Sequence, residues 1–201
     1  MYQRKDAYYT RAKAVGYRSR AAFKLQQLAQ RARLFQRGDR VIDVGAWPGG
    51  WLQVAAQHVG PTGRVIGVDL QRIEPLPERN VVTVRGDLTA AEVQAQVQSL
   101  CDGKADVVLS DLAPKLSGIK ARDEAQAQAL ADCVVSFAKQ VLKPGGTLVV
   151  KLFMSGDLHG YLAQLRELFQ EVKTTRPEAT RKASAELYAI ARGFHGNVDP
   201  I

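Results

Sequence analysis

The apolar positions of this chain fall into two kinds of run. Short, nearly continuous stretches of Val, Ile and Leu occur in RVIDVG (40–45), RVIGVDL (64–70), NVVTVRGD (80–87), ADVVLSDLAP (105–114) and TLVVKLF (147–153). Such runs predict strands buried on both faces. Between them, residues 51–60, 90–101, 123–142 and 157–169 carry apolar side chains at helical spacing. The first of these stops at Gly60-Pro61, and Lys143-Pro144-Gly145-Gly146 closes the third. Upstream, RSRAAFKLQQLAQRAR (18–33) repeats Ala22, Leu25, Leu28 and Ala29 with the same period, with Ser19 placed as its N-cap. Residues 1–17 are expected to be extended or loosely ordered. EVKTTRP (171–177) and AELYAIARG (185–193) read as two final strands.

Strands that alternate with helices predict an α/β fold: a mostly parallel seven-stranded sheet with helices on both faces. The last two strands are joined by too short a segment for a crossover helix, which needs about ten residues. One strand is therefore expected to run antiparallel. No repeat, linker or second domain is visible. The expected organisation is one domain over 1–201: a basic extension (1–17), an N-terminal helix (18–33), a core (38–193) and a tail (194–201). A doubly wound sheet of this kind holds its ligand at the carboxyl ends of the strands.

With 46% hydrophobic and 24% charged residues the chain is ordinary for a globular protein. It has no apolar run near the roughly 18 residues of a membrane span, and no apolar signal segment. A cytoplasmic monomer is expected. Cys101, Cys133, His58, His159 and His195 are scattered, so no metal site is expected. The net charge of +8 is unevenly spread. Residues 1–37 hold Arg4, Lys5, Arg11, Lys13, Arg18, Arg20, Lys24, Arg31, Arg33 and Arg37 against the single acid Asp6, and the rest of the chain is close to neutral. Tyr2, Tyr8, Tyr9, Tyr17 and Phe23 are interleaved with these cations. Cations that neutralise phosphates, beside aromatic rings that stack on bases, point to RNA.

The turn Asp43-Val44-Gly45-Ala46-Trp47-Pro48-Gly49-Gly50-Trp51 follows the first strand. It lacks the G-x-G-x-x-G spacing of dinucleotide sites, because Trp47 stands at the second glycine position. Asp43, Asp69, Asp87 and Asp111 lie at or near successive strand ends. Four carboxylates repel a pyrophosphate but suit S-adenosylmethionine, with its cationic sulfonium, ribose diol and exocyclic amine. Asp69 is placed for the ribose hydroxyls and Asp87 for the adenine. Asp43 is the acid most readily explained as a turn former or helix cap. Two lysines stand out: Lys151 inside the apolar strand VVKLF, and Lys24 on the first helix among Phe23, Leu25 and Leu28. A half-buried lysine is costly unless paired.

RSRAAFKL, DVGAWPGGW, GVDL, GDL, SDLAP, KPGGTLVVKLF and the segment from Lys182 to Tyr188 occur in the order found in the FtsJ/RrmJ family. The chain resembles these ribosomal RNA large-subunit 2′-O-ribose methyltransferases from about Arg18 to Gly193. The resemblance implies a Rossmann-like methyltransferase fold and S-adenosyl-L-methionine as cofactor. It implies a catalytic set of Lys24, Asp111, Lys151 and Glu186, with Gly49, Trp51, Asp69, Asp87 and Asp111 at the cofactor beside the turn glycine Gly45. On this reading Lys151 is the base that deprotonates a ribose 2′-hydroxyl, its neutral form favoured by burial and by the like charge of Lys24. Asp111 and Glu186 orient the two amines. Arg18, Arg20, Arg176, Arg181 and Lys182 are expected to grip RNA phosphates. The expected substrate is a uridine of 23S ribosomal RNA in the large subunit. Transfer RNA, messenger RNA caps or a non-catalytic assembly role are the alternatives. Trp47, where the family has a small residue, and Lys115, where it has Asn, depart from the pattern.

Overall fold

The structure is a computed structural model that describes residues 7–114, 117–154, 157–181 and 184–196. Seven strands form one sheet: β1 Arg40–Val44, β2 Arg64–Asp69, β3 Val81–Arg85, β4 Ala105–Ser110, β5 Leu142–Phe153, β6 Phe169–Thr175 and β7 Glu186–Phe194. Their order is β3-β2-β1-β4-β5-β7-β6. Pairings from β3 through β5 are parallel, and β7 runs antiparallel to both its neighbours. The reversed strand is thus β7, wedged between β5 and β6.

Six helices flank the sheet: α1 Ala7–Ala14, α2 Ala21–Ala32, α3 Gly50–Val59, α4 Ala91–Cys101, α5 Lys120–Val141 and α6 Leu158–Leu168. Successive strand residues point to opposite faces, so each strand feeds two cores. Ile42, Val68, Val108, Val150 and Ala189 pack with α4, α5 and α6 on one side. Val41, Val65, Leu109, Val149 and Tyr188 pack with α2 and α3 on the other. By the same alternation Asp43 on β1, Asp69 on β2, Lys151 on β5 and Glu186 on β7 belong to the α2/α3 face. Asp111, one residue beyond β4, continues that series. Polar residues far apart in the chain therefore meet under α2.

Three local expectations need correction. Residues 7–14 are helical rather than loose: Ala12 is buried against Phe23 and Ala179, with Tyr8 and Tyr17 packed around them, so tertiary contact stabilises a helix without a clear apolar stripe. Arg20, not Ser19, is the N-cap of α2, and it caps with no side-chain hydrogen bond. The Ser19 hydroxyl lies against Gly50 at the start of α3 instead. Finally, Lys143 to Gly146 does not separate helix from strand. Pairing begins at Leu142 with Ala105, and an irregularity between Ala105 and Val107 absorbs the extra residues.

Candidate active site

The α2 side chains Ala22, Leu25 and Leu28 are fully buried, each leucine contributing about 1.5–3 kcal/mol of burial. This anchoring holds Lys24 over the carboxyl ends of the central strands. Lys24 Nζ lies 2.5 Å from Glu186 Oε1 and donates to the Tyr188 hydroxyl at 3.2 Å. Tyr188 donates in turn to Asp111 Oδ1 at 2.7 Å. Asp111 completes the chain: Lys151 Nζ is 3.0 Å from its Oδ1 and donates to its main-chain carbonyl at 2.6 Å. Sheet register explains the convergence. Lys151 faces Tyr188 across β5 and β7, Phe153 faces Glu186, and Val150 pairs with Ser110 immediately before Asp111. Lys24, Asp111, Lys151 and Glu186 thus form one hydrogen-bonded network.

The linking residue, Tyr188, has no role among the sequence-based expectations. It is fully buried, and burial, followed by the charges of Asp111 and Glu186, pushes its hydroxyl well above the ordinary tyrosine range. It therefore stays protonated and donates. A tyrosine two residues after Glu186 on a strand shares its face, and that spacing is the signal the sequence holds.

The turn after β1 requires its glycines. Gly45 has φ +79°, and a Cβ there would run into the Leu112 side chain. Gly49 has φ +109° and lies against the Arg18 side chain. Asp69 is the hub of this region, its carboxylate accepting from the main-chain N–H of Trp47 at 2.9 Å and of Gln71 at 2.8 Å. Asp43, the acid expected as a cap or turn former, is neither. It lies within β1 and is fully buried, with Oδ2 lacking any hydrogen-bond partner. Burial, then the charges of Asp111 and Asp69, raise its carboxyl well above the usual range. Asp87 is exposed and accepts from Thr89 N at 2.9 Å, which lowers its carboxyl and fixes its own turn.

Other expected residues are placed as follows. Trp51 is buried, donates Nε1 to Ala21 O at 2.8 Å and packs against the Tyr188 ring at 5.9 Å, which makes it a support beneath the network. Arg18 donates to the carbonyls of Pro48 (3.3 Å), Glu74 (2.5 Å) and Pro75 (2.5 Å), fastening the glycine turn to the segment after β2. Arg176 donates to the carbonyls of Arg181 and Ser184, shaping the loop before β7. Arg20 and Arg181 line a cavity of about 380 Å³ together with Lys24, Ser184 and Glu186. Burial and the like charge of Arg181 lower the Arg20 guanidinium, and Glu186 opposes them. Lys115 and Lys182 lie outside the described residues. Among the described residues no His, Cys, Asp and Glu cluster could hold a metal, and no helix is long and apolar enough to cross a membrane.

This sheet order, with its single reversed strand, glycine turn and acid-lined rim, defines a methyltransferase of the S-adenosylmethionine-dependent class. Comparison with known proteins narrows the class: the family model of FtsJ-like methyltransferases matches residues 17–194. The chain belongs to that family. It is 45% identical over 194 residues to the ribosomal RNA large subunit methyltransferase E of Methanobrevibacter smithii, covering 96% of this chain and 92% of that one. The protein of the same name from Myxococcus xanthus is 46% identical over 189 residues, 94% and 89% of the two chains. A Plasmodium falciparum crystal structure assigned as a ribosomal RNA methyltransferase superposes with a TM-score of 0.79 at 28% identity, over 90% of this chain and 100% of that one. Aeropyrum pernix fibrillarin, solved with natively bound S-adenosyl-L-methionine, shares the fold with a TM-score of 0.59 at 20% identity, over 85% and 75%.

The protein is accordingly a methyltransferase that takes its methyl group from S-adenosylmethionine. The residues present fit that group. Asp43 offers a buried, unpartnered carboxylate oxygen within electrostatic reach of Asp69 and Asp111, an arrangement that a cationic ligand with hydrogen-bond donors relieves.

Proposed function

We propose that this protein methylates a ribose 2′-hydroxyl of RNA, and that its substrate is a uridine of 23S ribosomal RNA in the large ribosomal subunit. One observation carries the reading: a lysine amine buried among apolar strands is wired through Asp111 and Tyr188 to a second lysine, beside a cavity lined by Arg20 and Arg181. The names of these two relatives, both ribosomal RNA large subunit methyltransferases, favour the same substrate.

A 2′-hydroxyl is a weak nucleophile until its proton is taken. In its deprotonated form, Lys151 Nζ accepts that proton as the new O–C bond forms. When bound, S-adenosylmethionine would supply the electrophilic methyl of its sulfonium, giving up its carbon–sulfur bond to that group. Asp111 aims the Lys151 amine and then pairs with the ammonium that results. Lys24, held by Glu186, stands where negative charge develops on oxygen. Arg20 and Arg181 hold the adjoining phosphate, where their mutual repulsion is relieved by an anion. Asp43, Asp69 and the turn at Gly45 and Gly49 hold the cofactor. Lys182 is proposed to contact RNA phosphates as well.

The test is tritiated methyl transfer to large ribosomal subunits from a strain that lacks the modification, with Lys151→Ala alongside. Wild-type activity that drops at least about 100-fold in Lys151→Ala, with cofactor affinity retained, is the expected result. Absence of wild-type transfer to these particles, with transfer to transfer RNA instead, rejects the substrate. Undiminished transfer by Lys151→Ala rejects the mechanism.

A further inference from the structure

The opposite end of the sheet carries a second polar cavity, of about 480 Å³, at the amino ends of β1, β2 and β3. Arg40 opens β1, Arg64 opens β2, and Arg79 and Asn80 immediately precede β3; all four line it, with Thr62 and Asp102. Adjacent strands lie about 4.8 Å apart, so three arginines come to line one cavity. Among the described residues none of the three is ion-paired to a carboxylate. Arg64 Nε is buried and has no hydrogen-bond partner. Two neighbouring acids are engaged elsewhere. Asp106 holds Lys143 and the Arg40 main-chain N–H (2.7 Å), and Asp39 accepts from Gln36 N at 2.7 Å. Only Asp102 offsets the three cations within the wall.

A buried donor without an acceptor, as at Arg64 Nε, is unfavourable, and the like charges of Arg40 and Arg79 on the same wall raise the cost. An oxyanion corrects both at once, and the planar fork of arginine matches phosphate oxygens. We infer that this cavity is a phosphoryl-binding site, separate from the reacting centre by the length of a strand, roughly 15–20 Å at 3.3 Å per residue. Its phosphoryl group comes either from the backbone of a large RNA that wraps the edge of the sheet, or from a free phosphate or nucleotide. The inference stands on the arginines alone and goes beyond the proposed methyl transfer.

The experiment uses the full chain and the variants Arg64→Gln, Arg79→Gln and their combination. One arm measures binding of unmodified 23S ribosomal RNA against salt concentration. The other titrates inorganic phosphate and pyrophosphate by calorimetry and thermal shift. A double variant that binds this RNA about tenfold more weakly at 0.2 M salt, with a salt slope shallower by about one to two, assigns the site to the RNA backbone. Pyrophosphate binding by wild type that the double variant loses, with RNA affinity unchanged, assigns it to a free phosphoryl group. Unchanged RNA affinity together with no phosphate or pyrophosphate binding overturns the site. Methyl transfer at saturating RNA stays at the wild-type rate in every variant, so methyl transfer tests the proposed activity and phosphoryl binding tests this site, each independently of the other. Arg79 is exposed, so Arg79→Gln carries the test if Arg64→Gln does not fold.

Discussion

At the scale of single residues, the candidate active site is a balance of buried charges. A buried ion left alone costs several kcal/mol, so Lys151 is tolerable only because Asp111 answers it through both its carboxylate and its carbonyl. Tyr188 divides Asp111 between the two lysines. Tyr188→Phe removes a hydrogen bond to a charged acceptor, worth about 1.5–3 kcal/mol, while keeping the ring against Trp51. It is expected to lower kcat without a matching rise in the KM for RNA, measured by steady-state methyl transfer. Asp43 is the opposite case, a carboxylate without its partner. Its folded-state carboxyl is raised above the unfolded value, so the native state binds the extra proton and stability is lost as pH rises from about 4 through the raised value. Asp43→Asn is therefore expected to melt higher than wild type at neutral pH, with the difference vanishing below about pH 4. Calorimetric melts across pH check this, and titration of S-adenosylmethionine is expected to show weaker binding.

At the scale of elements, the strands and most helices were legible in the sequence because the two hydrophobic periods differ so clearly. The continuous runs of β1, β2, β4 and the end of β5 could be nothing but strands covered on both sides. What local pattern missed was decided by partners. Helix α1 exists because Ala12 has Phe23 and Ala179 to pack on. Ser19 does not cap because its hydroxyl turns toward Gly50. Arg18 looks in sequence like one more phosphate contact, yet its guanidinium bridges three carbonyls around the glycine turn. Arg18→Gln is expected to weaken S-adenosylmethionine binding by calorimetry and to lower the melting temperature. If phosphate contact were its main role, the effect would fall on RNA affinity and its salt slope instead.

At the scale of the whole molecule, helix α1 packs on α2 through Ala12 and Phe23. Arg11 lies over the Phe23 ring at 4.9 Å and Lys13 over Tyr9 at 4.9 Å, while Phe23 neighbours Lys24 in the chain. Arg20, which lines the cavity with Arg181, lies over the Tyr8 ring of α1 at 5.7 Å, so α1 borders that cavity. Combined Arg11→Gln and Lys13→Gln is expected to reduce RNA affinity several-fold near 0.1 M salt and to flatten the salt slope by about one to two, leaving cofactor binding unchanged. Filter binding across a salt series measures it.

Taken alone, the sequence determined the α/β alternation, the reversal near the carboxyl end and the glycine turn, because periodicity and turn chemistry are properties of neighbouring residues, and its resemblance to the FtsJ family pointed to Lys24, Asp111, Lys151 and Glu186. Tertiary structure decided which strand is reversed, that Tyr188 joins the two lysines, that Asp43 is an orphaned acid, and that Arg40, Arg64 and Arg79 meet. Counted along the chain, those arginines vanish into a near-neutral stretch. Pairing β1, β2 and β3 side by side brings Arg40, Arg64 and the residues just before β3 to one cavity, and charge acts through distance in space rather than separation in sequence.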